Sequence, residues 1–181
     1  MENIMDLIKK RRSIRAYKSQ PIPEKIINSI LEAAKYAPTA RNLQQLEYKV
    51  ITNKDLINKL SDGIAATIKR SKLVFPARPN MPARPSFFHN APLLIIITGP
   101  KENHWIDSDA ALAVQNVMLY ATSIGLGTCF IGMARLIDRN KKLREELGIS
   151  KERRIAAAVI CGYADESPSE KEKKMKAEFF K

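Results

Sequence analysis

Residues 9 to 17 of the 181-residue chain read KKRRSIRAY. Three arginines and a serine within five positions, Arg11, Arg12, Ser13 and Arg15, suit a planar or phosphorylated anion. The guanidinium fork matches phosphate oxygens in pairs, and a serine hydroxyl adds a further bond at short range. The stretch closes an amphipathic segment, NIMDLIKK, so the same cations also answer the dipole at a helix C-terminus. By itself it fits an anion site and a solvated helix end equally.

A second candidate is the glycine cluster GLGTCFIG, residues 125–132. It lacks the Lys and Ser/Thr of a phosphate loop, its third glycine comes too late for GxGxxG, and it follows a helical pattern where a dinucleotide fingerprint follows a strand. A helix cap and tight turn account for Gly125 or Gly127. Gly132 has no such use, and a glycine there lets backbone N–H groups approach a flat ligand closely. His89 and His104 lack metal-ligand spacing and no GxSxG elbow occurs. Cys129 and Cys161 form no CxxC pair and read as small apolar fillers. A ligand-like site without acid–base machinery points to a cofactor for the difficult step.

The elements that must position these residues follow from periodicity. Ile4, Leu7 and Ile8 have helical spacing ahead of the basic stretch. PIPEKIINSILEAAKYAP sets Pro23 in a first turn, puts Ile26, Ile27, Ile30, Leu31 and Ala34 on one face, and stops at Pro38. EYKVIT reads as a strand, and KDLINKLSDGIAATIKR as a helix that Gly63 weakens. FPARPNMPARPS, residues 75–86, carries prolines that favour an extended loop, either a plain connector or a cover, from which Arg78 and Arg84 could reach an anion. PLLIIITG and RRIAAAVICGYA are strands covered on both faces. DSDAALAVQNVMLYATSIGLG is a helix capped by Asp or Ser and buried on most sides, and DRNKKLREELG is a polar surface helix closed by Gly148. The last stretch is charged but ends in Phe179 and Phe180, which suggests docking on a partner surface.

Helices interleaved with strongly apolar strands predict an α/β (α+β) fold with a small central mixed sheet flanked by helices. At 45% hydrophobic the chain can bury a substantial core, and residues 1–181 read as one domain. No apolar run reaches the ~20 residues that cross a bilayer, which predicts a cytoplasmic protein without membrane contact. A net charge of +12 suits nucleic acid, an acidic surface or an anionic small ligand. Aromatics are only 7% of the chain and show no base-stacking cluster, so nucleic acid is the weaker of these.

Four stretches in one order, RRSIRAY, YAPTARNLQ, SIGLGTCFIG and GYADESPSEKEKK, resemble the FMN-dependent nitroreductase family, and NAPLLIIITG and DAALAVQNVMLYAT extend the likeness over nearly the whole chain. The resemblance implies an intertwined homodimer with FMN between the subunits. It also implies hydride transfer from NADH or NADPH, through flavin N5, to nitroaromatics, quinones or similar small electron-poor acceptors. A related flavin reaction, such as reductive dehalogenation or flavin fragmentation, stays open, as does a non-enzymatic basic module that binds nucleic acid or flavin. Residue by residue, Arg11, Arg12, Ser13 and Arg15 match the positions that hold the phosphate, ribityl and pyrimidine end. Pro38, Thr39, Ala40, Asn42 and Gln44 match the loop that completes the site from the other subunit, Phe130, Ile131 and Gly132 the backbone facing N5, and Lys171 and Lys173 the C-terminal phosphate contacts. Gln45 and Leu46 replace the family's usual ProTrp, and Ala164 stands where the family has proline.

Overall fold

The computed structural model describes residues 3–71, 86–170 and 172–180. Within them the chain runs α1 (Ile4–Lys10), α2 (Glu24–Lys35), β1 (Glu47–Ile51), α3 (Lys54–Ser71), β2 (Leu93–Pro100), α4 (Ile106–Ser123), β3 (Gly127–Phe130), α5 (Lys141–Glu146) and β4 (Arg153–Gly162). The sheet order is β1-β2-β4-β3, so the two most apolar strands are central.

Side chains alternate across a strand, which lets β2 serve two layers at once. Leu93, Ile95 and Ile97 pack with Ile27, Ile30 and Ala34 of α2 and with Ala110, Ala113, Val114 and Val117 of α4. Leu94 and Ile96 pack with Ile57, Leu60 and Ile64 of α3 and with Ile137 and Leu143. Each fully buried Ile or Leu contributes about 1.5–3 kcal/mol. The layers are therefore α2/α4, sheet, and α3 with the segment 132–146. Gly63 does not interrupt α3: a Cβ there would lie 2.2 Å from Leu143 Cδ1, so the glycine admits the neighbouring side chain.

Three expectations are corrected. Every adjacent strand pair is antiparallel, not mixed. β2–α4–β3 is a crossover whose strands do run parallel, but β4 has entered between them. The only parallel pairing among the described residues is the bridge between Ser13 and Thr128. Second, α4 starts at Ile106 and is fixed from further upstream, because Asn103 Oδ1 accepts the Trp105 amide at 2.9 Å. Third, residues 138–148 are not one helix. A 3-10 stretch, Gly132–Arg139, ends before Asn140, whose side chain caps α5 by accepting from Leu143 N at 3.3 Å.

No helix of the described residues is long and apolar enough to cross a membrane. The Pro-rich segment 75–86 falls, apart from Ser86, outside the described residues, as do Arg78 and Arg84. Residues 172–180 form no helix or strand and are exposed.

Candidate functional site

The basic stretch is strung along the sheet edge. Ser13 bridges to Thr128, and Ile14 N donates to Thr128 O at 2.9 Å. Further on Tyr17 bridges to Ala164, Lys18 N donates to Tyr163 O and Asp165 N to Ala16 O. The contact depends on Gly127, where a Cβ would stand 2.7 Å from Ile14 Cγ1. Tyr17 pins the turn by donating its hydroxyl to Ile14 O at 2.6 Å, and burial first, then Cys129, Cys161 and Glu166, push its phenol well above its usual range.

Cations and carboxylates meet here. Arg12 donates to Lys9 O and Arg11 O and lies 3.6 Å from the Glu170 carboxylate. The Arg15 amide donates to Glu166, and its guanidinium to Ser13 O at 3.3 Å. Among the described residues the Arg11 guanidinium has no acidic partner. The Arg12–Glu170 pair is too open to water to be strong, so a phosphate can displace the carboxylate at little cost. A cleft of about 310 Å³ opens beside these groups, lined by Lys10, Arg12, Thr122, Gly125, Glu166 and Pro168. Thr128 Oγ1, in a residue 1% exposed, is the one buried side-chain polar atom among the described residues without a hydrogen-bond partner.

Phe130, Ile131 and Gly132 continue the same edge, two to four residues past Thr128, or roughly 7–13 Å along an extended chain. Ile131 N donates to Ala158 O at 2.8 Å, which fixes the backbone, while Phe130 stays 40% exposed. A Cβ at Gly132 would meet nothing within 4 Å, and no positive φ requires the glycine. The backbone there faces open space.

The loop Pro38–Gln44 is held elsewhere. Ala40 N donates to the buried Asp109 carboxylate at 2.9 Å, Gln44 N to Thr39 Oγ1 at 3.1 Å and Gln44 Nε2 to Asn42 Oδ1 at 2.9 Å. Arg41, Asn42 and Gln44 have φ of 53°, 54° and 51°, a left-handed conformation that non-glycine residues adopt at a cost of about 1–3 kcal/mol each. Gln45 belongs to the framework: its Oε1 accepts from Asn103 Nδ2 and its carbonyl from Arg153.

One chain thus sets the basic stretch, through Ser13, beside Thr128 on the edge that Phe130–Gly132 continue, with Arg12 lining the cleft, and anchors the loop at the other end of α4. Asp109, the loop's anchor, is in the first turns of α4, whereas Thr122, which lines the basic cleft, is in its last turn. Thirteen residues of helix separate them by about 20 Å. Lys173 is exposed in the irregular tail, and Lys171 lies outside the described residues. Sequence reasoning missed Thr128, Asp109 and the strand β3. An acid among the small apolar residues of α4 was the signal for Asp109; the four residues of β3 between glycines gave almost none.

A cationic cradle, a buried hydroxyl without a partner beside it and a backbone open where a side chain would stand together suit a flat phosphorylated ligand. A larger cleft of about 920 Å³, between α2 and the end of β1, is lined by residues such as Tyr17, Ile22, Leu31 and Val50 and lacks that cluster of cations.

Residues 8–163 match the family model described as the nitroreductase family. The chain is 30% identical over 168 residues to a protein of Archaeoglobus fulgidus provisionally named NADH dehydrogenase/NAD(P)H nitroreductase, covering 90% of this chain and 86% of the relative. It is similar to the crystal structure of a nitroreductase with bound FMN from Bacteroides fragilis, at TM-score 0.80 and 27% identity, covering 98% of this chain and 96% of that one. An FMN-dependent nitroreductase from Clostridium difficile superposes at TM-score 0.72 with 31% identity, over 93% of this chain and 91% of the other.

Proposed function

The chain belongs to the nitroreductase family of oxidoreductases, and from that premise we propose that it is a homodimeric NAD(P)H-dependent enzyme that reduces nitroaromatics, quinones or similar small electron-poor compounds on bound FMN. FMN, when bound, supplies the two-electron chemistry, accepting reducing equivalents from NADH or NADPH and passing them to the second substrate.

The chain's own residues bind and orient. Arg11 and Arg12, with Lys171 and Lys173, neutralise the phosphate, and Ser13 and Arg15 serve the ribityl and pyrimidine end. A cation such as Arg15 near the ring favours added negative charge there, which raises the flavin's electron affinity. The backbone at Phe130–Gly132, open where a side chain would stand at Gly132, would hold the flat ring. No side chain of the site needs to act as nucleophile, since the site's titratable groups position charge and do not form bonds.

The loop Pro38, Thr39, Ala40, Asn42 and Gln44 comes from the second copy. The separation along α4 supports this: about 20 Å of helix keeps the loop off the chain's own basic stretch, whereas two α4 helices packed antiparallel bring each loop to the partner's cations. Exposed apolar residues on and around this helix, Ile4, Met5, Ile8, Leu112 and Ile124, fit such a contact.

The observation that carries the reading is the bridge from Ser13 to Thr128, which supports a single ligand touching both the basic stretch and Gly132. Protein reconstituted with FMN is expected to be yellow, to elute as a dimer and to bleach on addition of NADH or NADPH under anaerobic conditions. Colourless protein after reconstitution sinks the reading.

A further inference from the structure

Among the exposed aromatic side chains that the basic stretch, the Gly132 edge and the loop leave without a role, Trp105 is the one whose flanking residues bond to the loop. Trp105 is the only tryptophan of the chain and is 60% exposed. An indole gains most by burial, since an aromatic side chain covers about 150–250 Å². Its exposure is not due to looseness. Asn103 Oδ1 accepts the Trp105 amide at 2.9 Å, and the Trp105 carbonyl accepts from Asp109 N at 2.9 Å. The residue is mounted at the start of α4 with its backbone fixed on both sides.

The same two neighbours hold the loop. Asn103 Nδ2 donates to Gln45 Oε1 at 3.0 Å, and Asp109 Oδ1 accepts from Ala40 N at 2.9 Å. Trp105 lies between these anchors in the chain, so its backbone is mounted between the two points at which α4 and the turn before it hold the loop. That span offers no ring of its own: residues 38–46 read PTARNLQQL, and Leu46 packs against the core.

We propose that Trp105 is a specificity-determining residue, the aromatic wall of the acceptor slot, on which planar electron-poor rings stack. The proposal rests on the reading that loop 38–44 completes the flavin site; loop and tryptophan share one mount and reach the partner's flavin together. An electron-rich indole facing an electron-poor ring is a favourable offset stack, and a rigid ring loses little entropy on binding. A non-aromatic acceptor has no use for that wall, so the residue discriminates between acceptor classes and leaves flavin binding alone.

Because the chain has a single tryptophan, its emission reports this position in the unmodified holoprotein. Titrating oxidised, FMN-loaded protein with 4-nitrobenzoate is expected to quench Trp105 emission saturably. Trp105→Ala should raise KM for nitrobenzoate about 10-fold, the equivalent of one well-formed aromatic stack with its buried area, while KM for ferricyanide and the FMN content stay unchanged. Trp105→Phe should restore most of the affinity and shows that loss in the alanine variant is not misfolding. Equal changes in KM for both acceptors, no change for either, or emission indifferent to nitrobenzoate in yellow protein overturns the role of Trp105 and leaves the flavin reading standing. Emission that shifts only with protein concentration assigns Trp105 to a subunit contact and also overturns it. Protein that takes up no FMN overturns the flavin reading and this proposal with it.

Discussion

The Ala40 amide donates to the carboxylate of Asp109, a residue 3% exposed, at 2.9 Å. A buried acid in the first turns of α4 is favoured by the helix dipole, and the N–H it accepts is part of what holds three left-handed residues of the loop in place. Asp109→Ala leaves that amide without a partner and should cost about 1–3 kcal/mol in urea unfolding. The relaxed loop should also weaken FMN binding in a fluorescence titration, whereas Asp109→Asn keeps an acceptor oxygen and most of both properties.

Arg11→Ala should weaken FMN retention about 10- to 100-fold, the worth of one lost charge-assisted contact to phosphate. Lys141→Ala is the control, since Lys141 is paired with Glu145 on the surface helix α5. Equal flavin affinity in the two variants, measured by equilibrium dialysis, removes Arg11 from the site.

Two glycines on one edge should respond differently to the same methyl group. Gly127→Ala drives a methyl to 2.7 Å from Ile14 and should destabilise the protein by about 1–3 kcal/mol as the basic stretch is pushed off β3. Gly132→Ala meets nothing within 4 Å, so the melting temperature without flavin should hold while FMN affinity falls. Unchanged FMN affinity in Gly132→Ala refutes a flat ligand lying on that backbone.

Burial pushes the Cys161 thiol from its usual 9.0 up to about 12. The native thiol keeps its proton where the unfolded one releases it, so the stabilisation is complete below about pH 9 and is lost as the pH rises towards 12. Tyr17, shifted upward chiefly by burial, adds to the loss in the same direction. Unfolding free energy should begin to fall above about pH 9, where Cys161 alone contributes, and fall more steeply above about pH 10, where Tyr17 joins it. Cys161→Ala should flatten the slope by one group's share in urea titrations at alkaline pH.

The central strands and the helix α2 were legible because apolar content and period agree along PLLIIITG, RRIAAAVICG and EKIINSILEAAK, and α3 because its apolar spacing outweighs Gly63. The basic stretch was legible as a group for the opposite reason, a density of charge that no core uses. What could not be read was partnership across the chain. Four residues of β3 become a strand only because β4 offers an open edge, and Ser13 acquires its neighbour only there. Asp109 reads as a cap when only its own helix is considered, and Gln45 as a departure from a motif. Their bonds to Ala40 and Asn103 join segments 69 and 58 residues apart, beyond any periodicity.

The distance between the two ends of α4 has a genetic corollary. In the dimer proposed above, every active centre draws its cations from one polypeptide and its loop from the other, so a chain crippled at Arg11 and a chain crippled at Asn42 fail in different halves. Mixed in one cell, they should rescue each other: each heterodimer concentrates both lesions in one centre and leaves the second intact. Random pairing of the two inactive alleles would then restore roughly one quarter of normal turnover, from parents that separately have almost none.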